Sequence, residues 1–152
     1  MRWLRTLSVL VAAGLVTGGC GFIAAGDASR TKPSGFVLNG YVSVAGVSAG
    51  TAGSACQAPP SVPDIVAGGP VRVGDPGDST GAVVVTGTLG DGVLAADPAG
   101  IGGSRCNFPF QIRNVPGEQQ QYVIVVGTRP AATFAGADLR SDKPAVIEVR
   151  PS

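Results

Sequence analysis

Hydrophobic residues along this chain recur mostly with a period of two. Phe36, Leu38, Val42 and Val44 alternate with Asn39, Tyr41 and Ser43, which predicts a strand with one buried face. Val71 and Val73 flank Arg72 ahead of Gly74-Asp75-Pro76-Gly77-Asp78, and the β-branched run Ala82 to Leu89 closes at Gly90-Asp91-Gly92. That pattern predicts two strands joined by a turn, with the Asp-Gly pair suited to a second tight turn. Val93 to Ala96 can add a short strand, and Phe108, Phe110 and Ile112 share one face of another. Pro109 has no amide hydrogen for a ladder, so this strand is expected at a sheet edge or with a bulge. Val115-Pro116-Gly117 then turns the chain. Tyr122 to Val126 is apolar throughout, the mark of a central strand, and Ala145, Ile147 and Val149 alternate with Glu148 and Arg150 in a closing one. Between these two, Ala135 to Leu139 can form one helical turn.

No helical period of useful length appears, and about seven short strands divided by turn signals predict an all-β antiparallel sandwich rather than a βαβ fold. Ala45 to Pro63, rich in Gly, Ala, Ser and Pro, reads as a loop pinned by Cys56. With 24 Gly, 12 Pro and only 14% charged residues the chain could pass for disordered, but the apolar fraction is 44% and gathers in β-branched runs. A folded, loop-rich domain fits that distribution.

The N-terminus reads differently. Met1-Arg2-Trp3-Leu4-Arg5 is positive, Leu7 to Val16 is apolar, and Thr17-Gly18-Gly19 are small residues before Cys20, the layout of an export leader. Val16-Thr17-Gly18-Gly19-Cys20 resembles a bacterial lipobox. The resemblance implies diacylglycerol on the Cys20 thiol, cleavage between Gly19 and Cys20, and a palmitate-bearing anchor. Two acyl chains suffice for stable anchoring, at about 0.8 kcal/mol per buried methylene. The uncharged sequence continues through Phe22-Ile23-Ala24-Ala25 to Gly26, giving about 20 residues that could instead be retained as a membrane helix, although its five glycines make a poor one. The expected organisation is a leader over 1–19, lipidated Cys20 and a tether over 20–34, and a β-sandwich domain over 35–152. Both readings place the domain on the extracytoplasmic face of the cell membrane.

Export changes the meaning of the cysteines. Cys56 and Cys106 are the pair left once Cys20 is assigned to the anchor, and oxidising compartments favour disulfides, so a Cys56–Cys106 bridge is expected. They lack the Cys-x-x-Cys spacing of a redox pair. The chain has eleven basic and ten acidic side chains; loss of Arg2 and Arg5 with the leader leaves nine against ten, a net of −1. Such a surface argues against a nucleic-acid partner.

The sequence contains no His, the commonest general base and metal ligand. Asp75, Asp78 and Asp91 offer hard oxygen ligands for Ca²⁺, but their spacing is not that of an EF-hand, and Asp is a common turn residue. A serine nucleophile would need Lys32 or Lys143 as its base; Glu118 and Glu148 read as surface charges. Gly46 to Gly53 does not join a strand to a helix and so reads as flexible loop, not phosphate cradle. No catalytic residue, metal or cofactor is assigned, and the domain is read as non-catalytic.

Cys56, Asp64-Ile65, Gly68, Val71, Val73, Gly87, Leu89, Cys106-Asn107-Phe108-Pro109-Phe110, Val115-Pro116, Tyr122 and Arg129 together resemble a family of small exported domains from mycobacteria and related actinobacteria. The resemblance covers about Gly35 to Val149 and implies location and fold rather than an activity. Phe108 to Tyr122 also looks like the prealbumin-like modules of bacterial surface proteins, which are mostly non-catalytic and imply a Greek-key sandwich. The expected role is therefore a surface-tethered module that engages an envelope protein or cell-wall polymer. The alternative is a carrier of a lipid or other apolar ligand, suggested by a mean hydropathy of +0.30 and by Phe108, Phe110 and Phe134.

Overall fold

The computed structural model describes residues 34–77, 82–96, 103–141 and 143–151, all within the unit Pro33–Ser152. The expected leader, Cys20, the expected tether as far as residue 33, and Asp78 lie outside the described residues. Eight strands follow in order: β1 (Gly35–Val47), β2 (Pro70–Gly74), β3 (Val83–Thr88), β4 (Val93–Ala95), β5 (Ser104–Pro116), β6 (Gln121–Val126), β7 (Ala132–Ala135) and β8 (Ala145–Val149). One helical turn, α1 (Gly136–Leu139), stands between the last two. The strands form two four-stranded sheets, ordered β4-β5-β1-β8 and β3-β2-β6-β7, and the expected all-β sandwich is what the chain adopts.

Alternation along each strand puts one face of each sheet inward. Leu38, Val42 and Val44 of β1, Cys106, Phe108, Phe110 and Ile112 of β5, and Ala145 and Val149 of β8 meet Val71, Val73, Tyr122, Ile124 and Val126 from the other sheet in one core. Several outward residues of β1 and β5 form polar contacts: Gln111 donates to Asn39 at 3.0 Å, and Arg105 donates to Ser43 at 2.8 Å while pairing with Glu148 at 3.4 Å. Tyr122 is central, as its apolar run predicts, since β6 lies between β2 and β7.

Three details depart from the sequence reading. First, β8 pairs with β1 in parallel, from Gly40↔Ala145 to Val44↔Val149, within an otherwise antiparallel sandwich. The long intervening chain lets the last strand return in the same direction as the first, which periodicity alone does not reveal. Second, Gly90-Asp91-Gly92 is a sheet crossing and not a hairpin: β3 and β4 belong to different sheets, and Leu89 bridges to Phe110 on the way. Third, β5 does not stop at Ile112. It passes a bulge at Arg113-Asn114, where Asn114 takes φ 59°, and runs on to Pro116; Asn tolerates that left-handed conformation better than most residues. Pro109 is accommodated because β4 covers only Arg105 to Asn107 of β5. The expectation of an edge strand or a bulge at Pro109 is not met: β5 lies between β4 and β1 and bulges at Arg113-Asn114 instead, and past β4 its side is met by the Leu89–Phe110 bridge and by the Gly90 amide, which donates to the Pro109 carbonyl at 2.6 Å.

Candidate functional site

The loop between β1 and β2 builds the main concavity. Its first part runs beside β4: Ala55 bridges to Val93, the Cys56 amide donates to Gly92 O at 3.0 Å, and the Gly53 amide donates to Leu94 O at 2.8 Å. The Cys56–Cys106 disulfide, with Cα atoms 5.9 Å apart, fixes the loop to the inner face of β5. The loop then turns at Pro59 to Val62, where the Val62 amide donates to Pro59 O at 2.8 Å. Val62 and Ile65 drop into the core and are fully buried. What periodicity classed as featureless loop thus supplies part of the hydrophobic core.

A second anchor holds the far end of the loop. Asp64 receives Arg129 Nη2 at 2.6 Å on Oδ1 and Arg129 Nε at 2.9 Å on Oδ2, and the Thr128 hydroxyl donates to the same Oδ2 at 3.2 Å. Two-point pairing of this kind is the strong form of a carboxylate–guanidinium contact. The Asp64 side chain is only 16% exposed. Hydrogen bonding from Arg129, foremost, holds its carboxyl below the usual carboxylate value against the opposing effect of burial, and the Arg129 guanidinium is correspondingly pushed up by Asp64. Asp64 and Arg129 lie 65 positions apart, so nothing in local spacing announces the pair.

Between these anchors lies a cleft of about 870 Å³ walled by Pro59, Pro60, Val62, Pro63 and Val66, with Phe108, Cys56 and Gly92 also in its lining. Gln57 and Asp91 provide polar groups at the same cleft. Gly92 is required by close approach: a Cβ there would stand 2.5 Å from Cys56 O and 2.7 Å from Cys106 Sγ. The volume falls in the range of small-ligand sites, and the lining is mostly apolar with a few polar groups, the usual make-up of a binding site. Nothing in this arrangement pairs a nucleophile with a base.

The other sequence candidates fall elsewhere. Asp75 accepts the Gly77 amide at 2.8 Å, the turn chemistry expected of it, and lines a separate depression with Arg72, Val83, Val123 and Val125, whereas Asp91 lines the cleft. Among the described residues no group of three or more His, Cys, Asp or Glu side chains converges. Glu148 is spent on Arg105. Phe108 and Phe110 are buried core residues and Phe134 packs against the same core, so of the three only Phe108 reaches the cleft. Comparison of the chain with protein-family models, with curated proteins and with solved structures returned no match.

Proposed function

We propose that the protein is a cell-envelope lipoprotein, held at the extracytoplasmic face of the membrane by acylated Cys20, whose sandwich is a non-catalytic interaction module. The observation that carries this reading is the pre-formed cleft between two anchors. Pro59, Pro60 and Pro63 stiffen one wall, the disulfide holds one end, and the Asp64–Arg129 pair holds the other. A rigid, apolar recess loses little entropy when a partner is seated, the condition under which modest contact area yields useful affinity. Its apolar lining suits an apolar segment of an envelope protein, with Gln57 and Asp91 available to fix orientation. The disulfide supports an oxidising compartment, and the leader and lipobox-like run supply the route to it.

The same cleft favours one other reading, a carrier of a lipid or other apolar ligand, because its volume and lining suit a small molecule as well as a peptide segment. One experiment separates them. A photo-crosslinking amino acid at Val66, which is 51% exposed on the cleft wall, is introduced into the full chain in an actinobacterial host, and adducts and intact mass are read by mass spectrometry. A protein adduct on a chain that has lost residues 1–19 and gained diacylglycerol supports the interaction module. A lipid adduct supports the carrier. An unprocessed N-terminus sinks the lipoprotein reading, and irradiation without any adduct sinks both uses of the cleft.

A further inference from the structure

The cleft between the two anchors carries charge of one sign only. Asp91 is exposed at its margin, and no Lys or Arg lines it. Arg129, at the far anchor, is neutralised by Asp64; Arg105 pairs with Glu148; Arg72 and Arg140 donate to main-chain carbonyls. Among the described residues neither ion pair includes Asp91, which therefore stands at the cleft without a cation from this chain.

The wall has the same bias. Pro59, Pro60 and Pro63 bring carbonyl oxygens and no amide hydrogen. The amides of Cys56, Val62 and Ile65 are spent on the carbonyls of Gly92, Pro59 and Val62 at 3.0, 2.8 and 3.3 Å. Among the lining side chains only that of Gln57 can donate a hydrogen bond. The cleft is thus better supplied with acceptors than with donors, above an apolar floor of buried Val62 and Phe108.

We propose that the occupant of the cleft is a segment of an envelope protein that combines apolar side chains with a single Lys or Arg, the cation seated against Asp91. This rests on the reading of the cleft as the interaction site and adds the sign of the partner's charge. Charge complementarity selects the occupant. An anionic segment would set like charge against Asp91, and a wholly apolar one would cover that carboxylate without a partner, at a cost in affinity. An ammonium or guanidinium is a donor with no acceptor of its own, which is what an acceptor-rich wall lacks. Val66, 51% exposed, leaves the rim open, so a chain lying across the mouth suits the site better than an enclosed small molecule.

The test is a titration of the full chain, isotope-labelled and held in phosphatidylcholine nanodiscs, with three capped peptides: acetyl-Leu-Ala-Xaa-Ala-Leu-amide with Lys, Gln or Glu at the centre. Phosphatidylcholine has no net charge, so the membrane itself does not collect the cationic peptide. Amide chemical shifts of Gln57, Val66 and Gly92 report occupancy. The Lys peptide should bind about threefold to fivefold more tightly than the Gln peptide, the worth of one ion pair at an exposed rim. The Glu peptide should bind most weakly, and the preference should fade as salt rises. Asp91→Asn should bring the Lys peptide to the level of the Gln peptide and leave the latter unchanged, and Asp91→Lys should favour the Glu peptide. Equal binding of the Lys and Gln peptides, or a Lys preference that survives Asp91→Asn, overturns the inference and leaves the cleft as the interaction site. Absence of any shift at these amides, or lipid acyl contacts to Val66 that no peptide displaces, removes the cleft as a protein-binding site and the inference with it. The comparison of peptides and salt on the unsubstituted chain holds even if a variant fails to fold.

Discussion

Reducing the Cys56–Cys106 bond should remove a large share of the domain's stability. The bond closes a loop of 50 residues, and the chain-entropy cost of leaving such a loop open in the unfolded state is about 4 kcal/mol. Domains of this size have about 5–15 kcal/mol in total. Reduction keeps both sulfurs in place, so it tests the cross-link more cleanly than Cys→Ser, which would put a hydroxyl at the fully buried Cys106 position and add an unsatisfied-group penalty of about 1–3 kcal/mol. The assay is urea unfolding of oxidised and reduced chain, followed by far-UV circular dichroism. The unfolding free energy should fall by about 4 kcal/mol, and the urea dependence should steepen, because the uncrosslinked unfolded chain exposes more surface. A fall of under about 1 kcal/mol with an unchanged slope would refute the entropic account; it would mean that Val62, Ile65 and the Asp64–Arg129 pair hold the loop without the sulfur bridge.

Asp64→Ala should cost about 2–3 kcal/mol in a chemical melt, because it leaves Arg129 partly buried without its carboxylate. The folded Asp64 carboxyl titrates below its unfolded value, so the pair's stabilisation is complete above about pH 3.9 and is lost as pH falls toward the depressed value. The gap between the unsubstituted chain and Asp64→Ala should accordingly narrow in acid; a gap that widens there contradicts the assignment. Gly92→Ala forces a Cβ against the Cys56 carbonyl and the Cys106 sulfur, neither of which can swing aside, and should lower stability by about 1–3 kcal/mol, whereas an increase in melting temperature would show that the approach is not tight. Tyr122→Phe removes the hydroxyl that donates to the Pro116 carbonyl but retains the edge-on packing against Phe36, with ring centroids 5.7 Å apart. A loss of about 1 kcal/mol with an unaltered circular dichroism spectrum is expected.

Much of the sandwich is legible in the sequence because a period of two is a direct image of a half-buried sheet. Leu38, Val42 and Val44 on β1, and Phe108, Phe110 and Ile112 on β5, all point where the alternation put them. The disulfide was equally accessible, since it follows from a count of cysteines and the expectation of export. Periodicity is blind to pairing, however. It could not say that β8 lies parallel to β1, nor that Gly90-Asp91-Gly92 changes sheets, because both depend on how distant strands stack around one core.

The candidate site lay almost wholly beyond local pattern. Val62 and Ile65 occur in a stretch without alternation, and what buries them is the sheet brought beneath the loop by β5. Asp64 and Arg129 become partners only because the loop before β2 and the turn after β6 meet in space. Gly92 is indispensable only once Cys56 and Cys106 have been joined beside it. The sequence by itself determined the class of fold, the cross-link and the faces of the strands, each of which depends on neighbours a few positions apart or on composition. The tertiary structure alone decided the cleft and its two anchors, for these arise from contacts between residues that chain order keeps far apart.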